Sequence, residues 1–205
     1  MVMQMKLLGS KKIETKRLIL RKSSMKEQKR LWEILMIPEV NKWYLTSAKK
    51  HACDKEYWLW ECQKKFYQMK VDCADNNDVF CWSIFIKKEF SNSGKEEVIG
   101  QISSPMLEDD NKFRDIGWYI NPEYQRMGLA FEAASEVVKY LFEDIKISAI
   151  ISSAVKDNFG SCRLFEKLGF KKTGEVKKKS PYTFYEGELV FSLYELNEEI
   201  YNANN

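Results

Sequence analysis

Apolar and polar residues alternate over 13–21 (IETKRLILR), the period of a strand with one buried face. The period then changes. Leu31, Ile34 and Leu35 fall on one face of a helix over 25–36, and Pro38 stops it. A second helix over 53–69 is dense in aromatics (Tyr57, Trp58, Trp60, Phe66, Tyr67), and the polar run 72–78 after it reads as a loop. Strands over 79–87 and 98–106 flank the turn sequence FSNSGKEE, a hairpin. After a polar turn at 108–112, residues 113–120 form a strand that Pro122 closes. Ala130, Ala134, Val137, Val138, Leu141 and Phe142 make one stripe of a helix over 128–142. The run 145–155 is apolar and β-branched almost throughout, as in a strand buried on both faces. A helix over 159–168 ends at Gly169, with Phe170 placed to fold back on its last turn. Strands over 172–179 and 183–194 follow, and the tail ELNEEIYNANN is a short fraying helix.

This order predicts a mixed α/β layer stack in one domain, 12–197, with a frayed tail at 198–205. The 205 residues suffice for one core and are short for two. The 33 basic and 30 acidic side chains nearly cancel, so nothing calls for a nucleic-acid partner. The five cysteines include no C-x-x-C pair and His51 is the only histidine, so no metal site is expected. The N-terminus has too short an apolar run for a signal peptide, and no segment reaches the roughly 20 apolar residues of a membrane span. A reducing, cytoplasmic setting follows. The chain is expected to be a monomer or a homodimer, the latter through exposed aromatics of the second helix.

The segment most suggestive of chemistry is 115–134, DIGWYINPEYQRMGLAFEAA. A strand ends, Gln125-Arg126-Met127-Gly128-Leu129-Ala130 makes a loop, and a helix begins at once. A helix start carries unpaired N–H groups and about half a positive charge, which suits a phosphate. Gly128 and Ala130 allow close approach. No Lys-Ser/Thr follows the glycine, so this is not a nucleotide P-loop, and the G-x-G-x-x-G of dinucleotide folds is missing. Taken alone, Gly128 reads equally as an ordinary helix-start glycine.

The same six residues resemble the pyrophosphate loop of the GNAT superfamily of N-acetyltransferases, Q/R-x-x-G-x-G/A. Asn158, Ser161 and Glu166-Lys167-Leu168-Gly169-Phe170 resemble its second motif, N-x-x-S/A…E-K-x-G-F. Asp115-Ile116-Gly117-Trp118, Glu132-Ala133, Val98-Ile99-Gly100 and the opening Glu14-Thr15-Lys16-Arg17-Leu18-Ile19-Leu20-Arg21 resemble the branch that acetylates ribosomal protein N-termini (Rim-type). The likeness runs from about residue 13 to about 194.

The resemblance implies a GNAT fold: a single mixed, mostly antiparallel sheet flanked by helices, with a splayed parallel strand pair. It also implies transfer of an acetyl group from acetyl-CoA to a primary amine in a ternary complex. Backbone amides of Arg126, Met127, Gly128, Leu129 and Ala130, with Gln125, would hold the diphosphate. An amide at Tyr119 or Ile120 would face the thioester oxygen, and Asn158 the cofactor's amide region. Asp115 is the candidate base, against a solvated or salt-bridged carboxylate. Phe165 stands where much of the superfamily has a proton-donating tyrosine. Ser161 is the candidate donor instead, against a hydroxyl that bonds only to backbone. The acceptor is a protein N-terminus or a small molecule such as a polyamine or aminoglycoside; a non-catalytic acetyl-CoA-binding module is the reading from another class. A cationic acceptor would call for an acidic pocket; the loops carry Glu108, Asp109, Asp110, Glu186 and Glu188, whose convergence linear sequence does not show, and Tyr182 and Tyr185 lie on the last hairpin, close to where acceptors enter in this superfamily. Lys177, Lys178 and Lys179 read as a solvated face, touching at most the 3′-phosphate of CoA.

Overall fold

The computed structural model of the chain describes residues 9–44, 59–75, 79–107, 112–179 and 188–204. His51, Cys53, Tyr57, Trp58, Glu108, Asp109, Asp110, Tyr182, Tyr185 and Glu186 lie outside them, as does the first part of the 183–194 strand.

The alternating first segment forms two strands, β1 (Ile13–Glu14) and β2 (Leu18–Lys22), because residues 15–17 turn back and Thr15 N–H donates to Leu18 O at 3.0 Å. The next strands are β3 (Val79–Ile86) and β4 (Glu97–Pro105). The 113–120 segment follows as β5 (Phe113–Arg114) and β6 (Gly117–Ile120), then β7 (Ala149–Val155), β8 (Lys171–Lys179) and β9 (Glu188–Asn197). Hydrogen bonding divides the expected sheet in two. A five-stranded antiparallel half runs β1-β2-β3-β4-β6, and a four-stranded half runs β5-β7-β9-β8 with β5 and β7 parallel.

The reason for the division is local. Phe113 and Arg114 pair with Ala149 and Ile150, whereas residues 117–120 pair with 100–103 of β4. The chain therefore crosses from one half to the other at Asp115 and Ile116. Beyond that crossing the parallel pair opens into a V, bordered by β6 and by the outer edge of β7 from Ile151 onward.

Gly100 explains why β6 can lie so close to β4: a Cβ there would collide with the carbonyl oxygen of Tyr119. The register slip between Ile84 and Phe85, opposite Ile99, adds a bulge at the same place.

Helices cover both faces. On one side lie α1 (Met25–Leu35), α2 (Pro38–Tyr44) and α3 (Trp60–Asp75), with Leu31, Ile34 and Leu35 packed on Val98 and Tyr119. Glu27 reaches back to accept from Ser24 N–H at 2.7 Å and caps α1. Pro38 ends one helix and opens the next, where a missing N–H costs nothing. α3 runs on to Asp75, into the expected 72–78 loop, because Val71 and Ala74 extend its buried side. Trp60 packs at a tilt between Trp32 of α1 and Tyr67, at 6.1 and 5.5 Å between centroids, so the described aromatics of α3 are partly spent on packing.

On the other face α4 (Leu129–Tyr140) and α5 (Phe159–Lys167) cover the main core, in which Ala133, Ala134 and Val137 meet Trp82, Ile84, Ile102 and Ile120. α4 ends in a wider π turn, Leu141–Ile145, so β7 begins at Ala149; periodicity alone cannot separate an apolar helix end from a buried strand. α5 ends as expected: Gly169 sits at φ 85° and Phe170 N–H returns to Phe165 O at 3.0 Å. The tail is a helix, α6 (Glu198–Asn204), whose Tyr201 ring stacks on Phe142 at 4.6 Å. β8 is an outer strand, exposed along most of its length, and carries Lys171, Lys172, Lys177, Lys178 and Lys179. Among the described residues no helix is long and apolar enough to cross a membrane.

Candidate active site

The loop between β6 and α4 is built to present main-chain donors. Arg126 and Gly128 both take the left-handed conformation, at φ 61° and 76°. Such turns aim successive N–H groups into one concavity. Among the described residues no hydrogen bond satisfies the N–H groups of Arg126, Met127, Gly128, Leu129, Ala130 or Phe131; the first amide used is that of Glu132, which donates to Gly128 O at 3.0 Å. These six donors lie at the positive end of α4. A non-glycine residue in the left-handed region costs roughly 1 kcal/mol, a strain that a binding loop retains only if its surroundings hold it.

Those surroundings come from far away in the chain. Glu132 Oε1 accepts from Thr15 Oγ1 at 2.5 Å and from Arg17 N–H at 2.8 Å, while Arg17 Nε donates to Glu132 Oε2 at 2.6 Å. The same guanidinium donates through Nη1 to Met127 O at 2.8 Å. Gln125 Nε2 closes the loop's other end on Ile120 O at 2.9 Å, and Tyr124 anchors it from below through its hydroxyl to Glu97 at 2.8 Å.

The turn after β1 thus clamps the donor loop. Burial would raise the Glu132 carboxyl, but the bonds from Thr15 and Arg17 outweigh it and hold the group below the usual carboxylate range. The stabilisation is therefore present at neutral pH and lost as pH falls through that lowered value. Glu132→Ala, which strands a half-buried guanidinium, is expected to cost about 2–3 kcal/mol, read from urea unfolding at pH 7. A loss below about 0.5 kcal/mol would mean that the clamp does not support the loop.

The V offers a second set of main-chain groups. Asn121 N–H donates to Ile99 O at 2.7 Å and Asp115 N–H to Pro105 O at 3.0 Å, both toward β4. Amides alternate sides along a strand, so those of 117 and 119 also face β4, and those of 118 and 120 face the open V. Ile116 O confirms the sense of the alternation: it accepts from Ser152 Oγ of β7 at 3.0 Å, bridging the apex.

Asp115 sits at that apex. Its Oδ1 accepts from Ile116 N–H at 2.7 Å, its carbonyl accepts from Ser104 Oγ at 2.8 Å, and it has no ion pair among the described residues. Burial raises its carboxyl above the ordinary value, against smaller lowering contributions from Ser152 and the Ile116 amide. Arg114, beside it in sequence, turns to the opposite face, over the Phe80 ring at 3.8 Å.

α5 forms the far wall. Asn158 is its cap, accepting from Ser161 N–H at 3.3 Å. Phe165 is buried between Trp118 of β6 and Tyr194 of β9, each at 4.7 Å between centroids, so an apolar ring bridges the sheet halves at this level. Ser161 lies one turn nearer the helix start on the same side. Its hydroxyl has no hydrogen bond among the described residues. Cys162 is buried against the carbonyls of Val155 and Lys156. Of the other cysteines described, Cys81 is buried and Cys62 is exposed.

The structure thus places Asp115 and Ile120 on the strand bordering the V, residues 125–130 between that strand and the first turn of α4, and Asn158 and Ser161 at the start of α5, whose Phe165 bridges the sheet halves. Sequence reasoning missed the clamp. Thr15, Arg17 and Glu132 stood within recognised motifs, but a bond across 115 positions leaves no periodic trace; complementary charge was the one available signal.

Known proteins resemble the chain in sequence and in fold. The chain is similar to the uncharacterized N-acetyltransferase YoaA of Bacillus subtilis, 28% identical over 166 residues, 81% of this chain and 86% of that protein. The uncharacterized N-acetyltransferase YnaD of Bacillus subtilis is 37% identical over a shorter stretch of 67 residues, 33% of this chain and 39% of that protein. Among solved structures, the ribosomal-protein-S5-alanine acetyltransferase of Vibrio fischeri superposes with a TM-score of 0.74 at 19% identity, over 92% of this chain and 97% of that one. The spermidine N-acetyltransferase of Vibrio cholerae, in complex with CoA and spermine, gives a TM-score of 0.72 at 13% identity, over 92% and 99%. The acetyltransferase (GNAT) domain family matches residues 17–171, most of the chain, and the protein is therefore a member of the GNAT acetyltransferase family, an acyltransferase.

Proposed function

We propose that this N-acetyltransferase carries an acetyl group from acetyl-CoA to the N-terminal amine of a protein, by direct attack with donor and acceptor bound together. The observation that carries the cofactor half is the row of six unsatisfied amides, 126–131, at the start of α4. A diphosphate fits it in charge and in hydrogen-bonding demand. Acetyl-CoA supplies the activated acyl group, so the protein needs no nucleophile of its own.

On this reading the chain's residues position and move protons. The pantetheine arm lies in the V, where the amides of 118 and 120 have no strand partner. Ile120 N–H, rather than that of Tyr119, faces the thioester oxygen, because the register turns the latter toward β4. One fixed donor at a developing negative charge is worth about 10²–10³ in rate. Asp115 takes the proton from the amine as the C–N bond forms. As the C–S bond breaks, Ser161 gives a proton to the leaving thiolate and regains one from water. Asn158, while capping α5, borders the arm. Ser161→Ala is expected to lower kcat about tenfold or more with CoA affinity unchanged. Equal rates would leave the serine a plain helix-start residue.

The protein acceptor is supported by the Rim-type opening segment acting as the loop clamp and by the likeness to an S5-alanine acetyltransferase. The test is CoA release with acetyl-CoA and three acceptors: peptides with free N-terminal alanine or serine, spermidine, and an aminoglycoside. Peptide kcat/KM at least tenfold above the others supports the reading. Preference for spermidine or the aminoglycoside overturns the acceptor and keeps the chemistry.

A further inference from the structure

α3 carries apolar side chains on two faces, where a helix lying on the surface of a monomer needs one. Tyr67, Val71 and Ala74 are buried against the protein. Cys62, Phe66 and Met69 are exposed, and so is Leu59, whose carbonyl accepts from Gln63 N–H at 3.1 Å as the helix begins. The exposure is large, 56% for Leu59, 45% for Phe66 and 53% for Met69. With the half-buried Cys73 these residues recur at alternating steps of three and four, at 59, 62, 66, 69 and 73. That is the a and d pattern of a helix seam that meets another helix. Single exposed apolar residues need no explanation; a continuous stripe does.

Charges flank the stripe and choose what covers it. In the same heptad Lys65 and Asp72 hold g positions and Lys70 an e position. Lys65 and Asp72 are exposed, and neither has an ion pair among the described residues. Asp72 accepts only from Gln68 Nε2 of its own helix, at 2.9 Å, among the described residues. A parallel copy of α3 would set Lys65 beside Lys70 of the other helix, like charge against like. An antiparallel copy, with Phe66 over Met69, sets Lys65 beside Asp72 and, across the two-fold axis, Asp72 beside Lys65. The same register brings Cys62 opposite Cys73. Reversed, the stripe is complementary to itself in shape and in charge.

We propose that this face binds a second copy of the chain, α3 pairing antiparallel with α3 across a two-fold axis. The helix has 16 residues, about 24 Å, so the seam is about two heptads long. Two isolated helices of that length would be marginal. Here each domain already holds its helix in place, which removes most of the ordering cost of association. The dimer is accordingly weak and follows protein concentration.

Sedimentation velocity across a concentration series tests this. Wild type is expected to pass from one-chain to two-chain mass as concentration rises. Phe66→Glu is expected to weaken association about 100-fold, since the axis counts the change twice, and to melt as wild type does. Lys65→Asp and Asp72→Lys are each expected to weaken it about tenfold. Combining the two restores the opposite charges and is expected to restore association, a recovery that a folding defect would not give. Oxidation with diamide, which takes the two thiol hydrogens, is expected to link Cys62 of one copy to Cys73 of the other, read by mass spectrometry of the digested dimer. The proposal is overturned if wild type keeps one-chain mass throughout, if Phe66→Glu associates as wild type does, if the double exchange fails to restore association, or if the link joins Cys62 to Cys62, as a parallel pair would.

Discussion

Asp115→Asn is expected to lower kcat by about 10²–10⁴ and to remove the acid limb of the pH–rate profile, on the reading that Asp115 takes the amine proton. Burial at the apex of the V lifts this carboxyl above the ordinary carboxylate range. The charged, competent form therefore gains population as pH rises through that raised value. Activity should climb over that window in wild type and stay flat in the variant.

Stability should move the other way. A raised folded-state value means that the folded protein binds more protons than the unfolded chain there, so stability falls as pH rises through it. Asp115→Asn escapes that penalty and should melt no lower than wild type at pH 7. A variant that keeps its acid limb and loses less than about threefold in rate would make Asp115 a structural carboxylate, held by the Ile116 amide and Ser152 at the apex of the V.

Gly128→Val is expected to weaken CoA binding about 100-fold or more while the protein remains folded. Space is not the obstacle, since a Cβ there meets only Arg17 Nη2 at 3.5 Å. The obstacle is the backbone: φ of 76° is open to glycine and strained for a β-branched residue. Relaxing that strain turns Gly128 out of the left-handed region and rotates the neighbouring amides away from one another. Two charge-assisted hydrogen bonds lost at about 1.5–3 kcal/mol each exceed a factor of 100. Titration of folded variant with CoA reads the result directly. Affinity within threefold of wild type would mean that the diphosphate sits elsewhere.

What could be read along the chain was whatever depends on near neighbours. The donor loop, the αL stop at Gly169 with Phe170 folding back, and the stripe of α4 all rest on spacings of one to four residues. Pro38 was read for its stopping power and not for its tolerance at a helix start, because both follow from one missing N–H. The crossing at Asp115 and Ile116 left no mark in the alternation of 113–120, since a strand keeps its period whichever sheet it joins. Which amide faces the V could not be decided from the strand alone; it needed the partner, Ile99 and Pro105 accepting from Asn121 and Asp115. The bond between Arg17 and Glu132 is the extreme case, being a product of the finished fold.

The outer strand β8 has one more effect, on how the protein behaves in concentrated solution. A strand of nine residues with one edge unpaired among the described residues is a template on which another chain can extend the sheet. Lys171, Lys172, Lys177, Lys178 and Lys179 line it with ammonium groups, and a second molecule approaching edge to edge meets the same row. Chemical acylation of those amines by excess thioester during storage would erase the repulsion and turn the rim of the molecule adhesive.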